Sequence, residues 1–420
     1  MKILHLLPYL PTPVNSGGAI RMYHILKHLF EKYDVTVAGF REFGDAELFQ
    51  STFPGLQESM HFISRGKVRH RRLLQLYSLF TSHSYWYNWA RSDKLEADLN
   101  RMLARDSYDI VLAEFASMGH FRLETDAIQI LDAHNVEYDN FRRMSRLEWS
   151  GIRKKFYLRE YRKSYREEVA AFNRHDAIFT TSVRDGNLIK KDAPAVPQFV
   201  IPNGVDMSYF HPDGSDAEPY SMIFTGTMNY VPNYDGMIYF LDRIFPLIKE
   251  TIPVAKITIV GSNPPPVLTG YESDSVIITG FVDDVRPFVN RAGIYVVPIN
   301  MGSGTRLKVV EALSMKKPIV STSIGCEGID TVDNEHLLIR DKPRAFAEAV
   351  IQLMKDRKLG NRLVRSGYEL VKQKYDWNVI GHSIDKAFNR LMANREAILD
   401  RKNPDGAHLI LKKGKNGILH

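Results

Sequence analysis

A single cysteine, Cys326, stands in 420 residues. One thiol builds neither a disulfide framework nor a thiolate metal cluster, which fits a reducing compartment. Long apolar runs are missing as well: no stretch reaches the roughly 18 apolar residues of a membrane span. The opening "MKILHLLPYLPTPVNSGG" has a short apolar run that ends in prolines, without a small-residue cleavage pattern. It is read as a first buried strand rather than an export leader, which predicts a cytoplasmic protein. Asp-x-Asp does not occur, Glu-x-Asp does, as at 137–139 and 272–274, and the histidines are scattered. No metal site is therefore evident and no cofactor is expected. The G-x-G-x-x-G of a dinucleotide fold is also absent, which disfavours a nicotinamide dehydrogenase.

What is present is an ordinary globular composition, 44% hydrophobic and 25% charged, in a chain longer than one core usually supports. Apolar runs alternate with stretches of helical periodicity. "KILHLL", "DVTVAGF", "YDIVLAEF", "AIQILDAH", "DAIFTTS" and "PQFVIPN" come first. After the Pro-, Gly- and acid-rich segment 200–220 the rhythm restarts with "SMIFTGT", "AKITIVG", "SVIITG", "AGIYVVPI", "KPIVST" and "EHLLIR". Runs of this kind read as parallel strands with helices on both faces. The chain is thus expected to fold as two α/β domains, 1–203 and 204–375, followed by a helix over 376–400 and a basic, mobile tail over 401–420. The net charge of +7 belongs to residues 1–200 and the last segment, which favours an acidic partner.

Ligands in open α/β sheets sit beyond the carboxyl ends of the strands. The stretch there with the most chemistry is "MGSGTRLKVVEALSMKKPIVS", residues 301–321. Backbone N–H groups over Ser303, Gly304, Thr305 and Leu307, with the cations of Arg306 and Lys308, can surround a diphosphate. Glu311 would repel that phosphate, so it should face neighbouring hydroxyls, as a carboxylate does on a ribose diol. A sugar nucleotide supplies diphosphate and diol together. After the first strand, Gly17 and Gly18 either let backbone approach a ligand or serve a helix start that needs positive φ. His134, at a strand end, is either a polar group of the cleft or a buried histidine satisfied by backbone. Asn229, Asn233 and Asp235 either line the cleft or cap turns.

Taken together and in order, "SGG", "AHNVEY", "IPNGVD", "FTGTMNYVPN", "ITGFVDDV", "VPINMGSGTRLKVVEALSMKKPIVST" and "YDW" resemble the family 4 glycosyltransferases of GT-B fold. The nearest-looking members make bacterial cell-surface and exported polysaccharides. The resemblance implies two facing Rossmann-like domains, acceptor on the first and nucleotide sugar on the second, with the last helix crossing back to the first. It also implies retaining, metal-independent transfer. The cleft histidine falls on His134, the diphosphate-contacting loop glycine on Gly18 and the ribose glutamate on Glu311. Gly226 and Asn229 fall in the donor loop, and the base would be held through the backbone of Phe281 and Val282. Two positions depart from the family. Ser303 stands where the first glutamate of Glu-x7-Glu would meet the donor sugar, and "TMNYVPNYDG" lacks the usual Arg and Lys. Arg306 and Lys308 are therefore expected to take over the diphosphate.

Two basic stretches remain, "RGKVRHRR" at 65–72 before an aromatic-rich segment, and residues 141–166 with ten Lys and Arg against two Glu. They suit an anionic membrane surface, such as the inner face of the plasma membrane, or are solvated helix faces. No nucleic-acid module is recognised, so nucleic acid is not an expected partner. The expected function is transfer of a sugar from a nucleotide-diphosphate sugar to a glycan or lipid-linked acceptor. The competing readings are a GT-B sugar-nucleotide epimerase and a non-catalytic, two-lobed sugar-binding protein.

Overall fold

The computed structural model describes residues 1–42, 44–65, 71–147, 150–302 and 304–402. The chain divides into two compact units, Met1–Ile201 with Gly381–His420, and Pro202–Ile380. The first contains a seven-stranded parallel sheet: β1 (Lys2–Leu7), β2 (Asp34–Phe40), β3 (Met60–Ile63), β4 (Ile110–Glu114), β5 (Ile128–Ala133), β6 (Ala177–Thr180) and β7 (Gln198–Val200), in the order β3-β2-β1-β4-β5-β6-β7. The second contains six parallel strands: β8 (Ser221–Thr225), β9 (Lys256–Val260), β10 (Val276–Gly280), β11 (Ile294–Val297), β12 (Ile319–Ser321) and β13 (Leu338–Ile339), in the order β10-β9-β8-β11-β12-β13. The central strands are buried along their length because helices cover both faces, which is why they read as apolar runs without alternation. Both sheets switch direction beside their first strand. That crevice is where such sheets bind ligands.

Three details differ from the sequence reading. β3, "MHFI", is a short edge strand whose histidine hid it among the loops. The last helical region is two helices, Trp377–Ala393 and Arg395–Lys402, and the first unit resumes at Gly381. It is fastened there by Asp385, which accepts hydrogen bonds from His28 at 2.9 Å, Lys32 at 2.5 Å and Tyr33 at 2.6 Å. The expectation of a mobile tail falls on residues outside those described from 403 onward, as does much of the basic stretch 65–72.

Candidate functional site

In the first unit, strand register assembles a line of buried polar groups. Leu6 of β1 pairs with Ala113 of β4, and Glu114 of β4 pairs with Asp132 of β5. Side chains alternate faces along a strand, so His5, Glu114, Asp132 and His134 share one face. That face is covered by the helix Gly17–Lys32, which contributes the fully buried Arg21. Glu114 takes a hydrogen bond from His5 Nε2 on Oε1 at 2.6 Å and from His134 Nε2 on Oε2 at 2.5 Å. Arg21 holds Asp132 with both ends of its fork, Nε to Oδ2 at 2.8 Å and Nη2 to Oδ1 at 2.7 Å, and donates Nη1 to the Ile201 carbonyl at 2.8 Å.

Burial would push the Glu114 carboxyl up, but the two imidazoles outweigh it and hold the group well below its usual range. Asp132 goes the other way: burial raises it despite the pull of Arg21. His134 is thus satisfied by a carboxylate and not, as one sequence reading had it, by backbone. Its Nε2 is committed, so the ring meets any ligand through its other edge.

Glu114, Asp132 and His134 lie close enough to suggest a cation site. The donor set fits poorly. Each carboxylate oxygen already accepts from His5, His134 or Arg21, and the Arg21 guanidinium would oppose a cation placed there.

Gly17 and Gly18 open the covering helix behind the cap Ser16, which accepts from the Ala19 amide at 3.3 Å. Neither glycine has positive φ, which removes that sequence explanation. Gly18 is required for space instead: a Cβ there would sit 2.7 Å from both Phe115 Cζ and Tyr9 Oη. Phe115 itself lies at φ 64° and stacks on His134 with ring centroids 3.7 Å apart. A left-handed aromatic at a strand end is costly backbone, kept where the surroundings fix it.

In the second unit the glycine-rich turn runs from β11 to the helix Leu307–Ser314. Gly302 and Gly304 take φ of 96° and 81°, and a Cβ on Gly302 would strike Arg306 Nη2 at 2.9 Å. Arg306 folds back on its own loop and donates Nη2 to the Met301 carbonyl at 3.1 Å. Lys308 reaches the helix Val231–Arg243, where Nζ donates to Asn233 Oδ1 at 2.9 Å, and lies 3.9 Å from the ring centre of Phe224 in β8. Asn233 is held by Nδ2 donating to the Thr227 carbonyl at 2.9 Å, so it is a partner of Lys308 rather than a cap. Gly226, at φ 152°, faces this ammonium; a Cβ there would lie 2.7 Å from Nζ.

Burial, with Arg306 adding like charge, pulls Lys308 down to about 7. Burial pushes Glu311 up to about 7 against the pull of Lys308, and no described residue donates a hydrogen bond to it. The Thr305 hydroxyl is likewise buried without a partner. Leu307 packs on the core, Asn229 and Phe281 are exposed, and Val282 is half-buried against the core. Ser303 lies outside the described residues.

The structure therefore brings Gly226, Arg306, Lys308 and Glu311 together in one unit and Gly18 and His134 near one another in the other. Sequence reading missed His5, Arg21, Glu114, Phe115 and Asp132. The available signal was polar residues set into otherwise apolar strand runs, "KILHLL", "VLAEF" and "ILDAH".

Residues 219–356 match the family model described as "Glycosyl transferases group 1". An uncharacterized 44.6 kDa protein in the cps region of Klebsiella pneumoniae is 24% identical over 313 residues, 71% of this chain and 77% of that protein. The lipopolysaccharide core biosynthesis mannosyltransferase LpcC of Rhizobium leguminosarum bv. viciae is 20% identical over 242 residues, 53% of this chain and 67% of that one. Among solved structures, Anabaena HepE in complex with UDP superposes with a TM-score of 0.65 at 13% identity, covering 93% of this chain and 100% of that one. That likeness is one of fold.

Proposed function

We propose that this chain, a GT-B-fold protein related to the group 1 glycosyl transferases, is a retaining glycosyltransferase. It moves a sugar from a UDP- or GDP-linked donor to a glycan or lipid-linked acceptor in polysaccharide biosynthesis. The observation that carries the reading is the crowding of Arg306 and Lys308 at a glycine-lined loop, with Lys308 pulled down to about 7 by burial and its neighbour. A diphosphate is the ligand that relieves this, because it restores the proton on Lys308 and pairs with both cations. Glu311, with no donor among the described residues, takes the ribose hydroxyls. Gly304, Thr305 and Leu307 supply backbone N–H groups, Gly226 and Asn229 border the donor, and Phe281 and Val282 hold the base through backbone.

In this reading the donor diphosphate accepts the proton of the incoming hydroxyl as it leaves, stabilised by Arg306, Lys308 and helix termini. Within the first unit, Glu114 fixes the His134 imidazole beside Gly18. The two cations neutralise the leaving group, so the chemistry asks for no metal. Support for the substrate class comes from the UDP in the HepE complex and from the polysaccharide role in the name of LpcC. The test is a thermal-shift screen of UDP-, GDP-, ADP- and CMP-sugars, since a ligand that binds only the native state raises its melting temperature. A shift with one UDP- or GDP-sugar is expected, followed by release of the nucleotide only when acceptor is added. Release without acceptor would favour the epimerase, and no shift with any donor ends the assignment.

An anionic membrane surface is the proposed place of action. No helix among the described residues is long and apolar enough to cross a membrane. The helix Arg71–Phe80, however, exposes Leu73, Leu76, Tyr77 and Phe80 at three- and four-residue spacing, while Leu74 packs inward with Tyr85 and Phe141. Nearby in the fold, the helix Gly151–Arg174 begins with an exposed Ile152 followed by Arg153, Lys154 and Lys155. An apolar stripe beside basic residues suits shallow insertion among acidic headgroups. The purified chain should sediment with phosphatidylglycerol liposomes at low salt, and the Leu76→Ser/Phe80→Ser variant should stay in the supernatant. Equal sedimentation of both proteins would rule this stripe out.

A further inference from the structure

Beyond the carboxyl ends of β1, β4 and β5 the first unit encloses a cavity of about 160 Å³. Its walls are aromatic: Tyr9 and Phe115 from the strand ends, and Trp86, Tyr87 and Trp89 from the helix Tyr85–Ala90. Three carboxylates at its edge are already engaged, Glu137 by the side-chain amides of Asn135 and Asn140 at 3.3 and 3.2 Å. Glu168 spends its oxygens on the backbone amides of Glu137 and Tyr138, at 2.9 and 2.8 Å. Glu167 accepts from the Ser84 amide at 2.9 Å and from His83 Nδ1 at 3.1 Å.

Two other polar groups on the same lining are not engaged. Among the described residues, the hydroxyl of Ser164, a residue 3% exposed, has no hydrogen-bond partner, and neither has His120 Nε2. The state of His120 follows from its other nitrogen. Nδ1 lies 2.6 Å from the Ser117 carbonyl, which can only accept, so Nδ1 carries the proton. Burial lowers the imidazole to about 4, so it stays neutral at physiological pH and Nε2 presents a lone pair. Buried polar atoms of this kind are costly unless a ligand completes them.

We infer that this cavity binds one pyranose ring of a saccharide, a hydroxyl of which donates to His120 Nε2 while Ser164 Oγ bonds a second. Aromatic faces carry negative charge and meet the polarised C–H face of a sugar, while the two unpartnered atoms fix its hydroxyls. A hydrocarbon chain would suit the walls but would leave both polar atoms buried and unpaired. A free phosphate would meet Glu137, Glu167 and Glu168 and no cation on the lining. That this saccharide is the acceptor rests on the transferase reading above and makes the acceptor's terminal unit a sugar rather than its lipid or phosphate portion. The binding itself does not depend on that reading.

The test uses the full chain without donor and follows tryptophan emission, since Trp86 and Trp89 line the cavity. The probes are methyl α- and β-pyranosides of glucose, galactose and mannose, with geranyl phosphate as the hydrocarbon control. At least one pyranoside should give a saturable change. Its Kd should weaken about 5-fold in Ser164→Ala and in His120→Phe, the loss expected for one neutral hydrogen bond. A deoxy analogue lacking the bonded hydroxyl should weaken binding to the wild-type chain and not further to the matching variant. Ser164→Ala removes one atom, so it keeps the proposal testable if His120→Phe misfolds. No response to any pyranoside overturns the inference, whether or not nucleotide sugars shift the melting temperature. Geranyl phosphate binding that neither variant alters, with pyranosides silent, would assign the cavity to hydrocarbon instead. Saturable pyranoside binding in a chain that ignores every nucleotide sugar would uphold the cavity and sink only the donor assignment.

Discussion

At the carboxyl ends of β1, β4 and β5 the buried charges have met their opposites; after β11, Lys308 bonds a neutral amide and Glu311 has no donor among the described residues. In the first unit Glu114 sits between two imidazoles and Asp132 in the fork of Arg21, so every carboxylate oxygen has a donor. In the second unit two cations crowd one loop, Glu311 has no donor among the described residues, and Lys308 and Glu311 are both drawn to about 7. The first arrangement stores its electrostatic energy in the fold and orients a ring. The second holds its charges at a cost that only a bound anion and hydroxyls can offset. Positioning groups and binding groups thus differ in what removal should do: the former should cost stability, the latter affinity.

The largest effect separates these roles by stability. Arg21→Met leaves a carboxylate buried at zero exposure beside Glu114, and should cost about 3–5 kcal/mol. The double variant Arg21→Met/Asp132→Leu removes both charges and should recover most of that loss. Lys308→Met, by contrast, removes a desolvated ammonium and should leave unfolding unchanged or slightly harder. Denaturant unfolding of the full chain, followed by circular dichroism, reads all three. A loss for Lys308→Met as large as that for Arg21→Met would erase the distinction.

How much of this was legible beforehand follows the same division. The parallel sheets were readable because strands buried on both faces spell continuous apolar runs, and only the short, histidine-bearing β3 escaped. The glycine turn was readable because Gly302, Gly304, Arg306, Lys308 and Glu311 sit close together in sequence. The first-unit network was not, because its members are brought together by strand register across more than a hundred residues: Arg21 to Asp132, and His5 to Glu114. His134 could be flagged at a strand end, but its carboxylate partner lies on a neighbouring strand. Asn233 carried no mark distinguishing a turn residue from the partner of a half-buried lysine. Gly18 was readable as special, while the reason, contact with Phe115 and Tyr9, depends on where a left-handed phenylalanine puts its ring.

The finer test of the comparison is pH. A bound diphosphate favours the protonated form of Lys308, so its pKa, about 7 in the free protein, must rise in the complex. Below about 7 the lysine is charged in both states and affinity is flat in this group. Between 7 and the bound value the complex holds a proton that the free protein lacks, so affinity falls as pH rises, by at most about tenfold per unit. Glu311, pushed up to about 7, loses its proton near the start of that range; the ribose hydroxyls donate to its carboxylate form, which offsets part of the fall close to pH 7 and none of it at pH 8 and above. A nucleotide sugar is the right probe because its diphosphate, esterified at both ends, has no proton to lose in this window. Titration calorimetry of UDP-glucose, or of the nucleotide sugar that the screen selects, should show net proton uptake at pH 8 in buffers of different ionisation enthalpy. Lys308→Met should bind about tenfold or more weakly at pH 7, the size of a charge-assisted hydrogen bond, and should lose most of the uptake. Saccharide binding in the first unit should show no dependence through His120 above pH 6, because burial keeps that imidazole neutral there. Affinity for the nucleotide sugar that is level from pH 7 to 9, with no proton taken up, would mean that the cations of the β11 turn are not where the diphosphate binds.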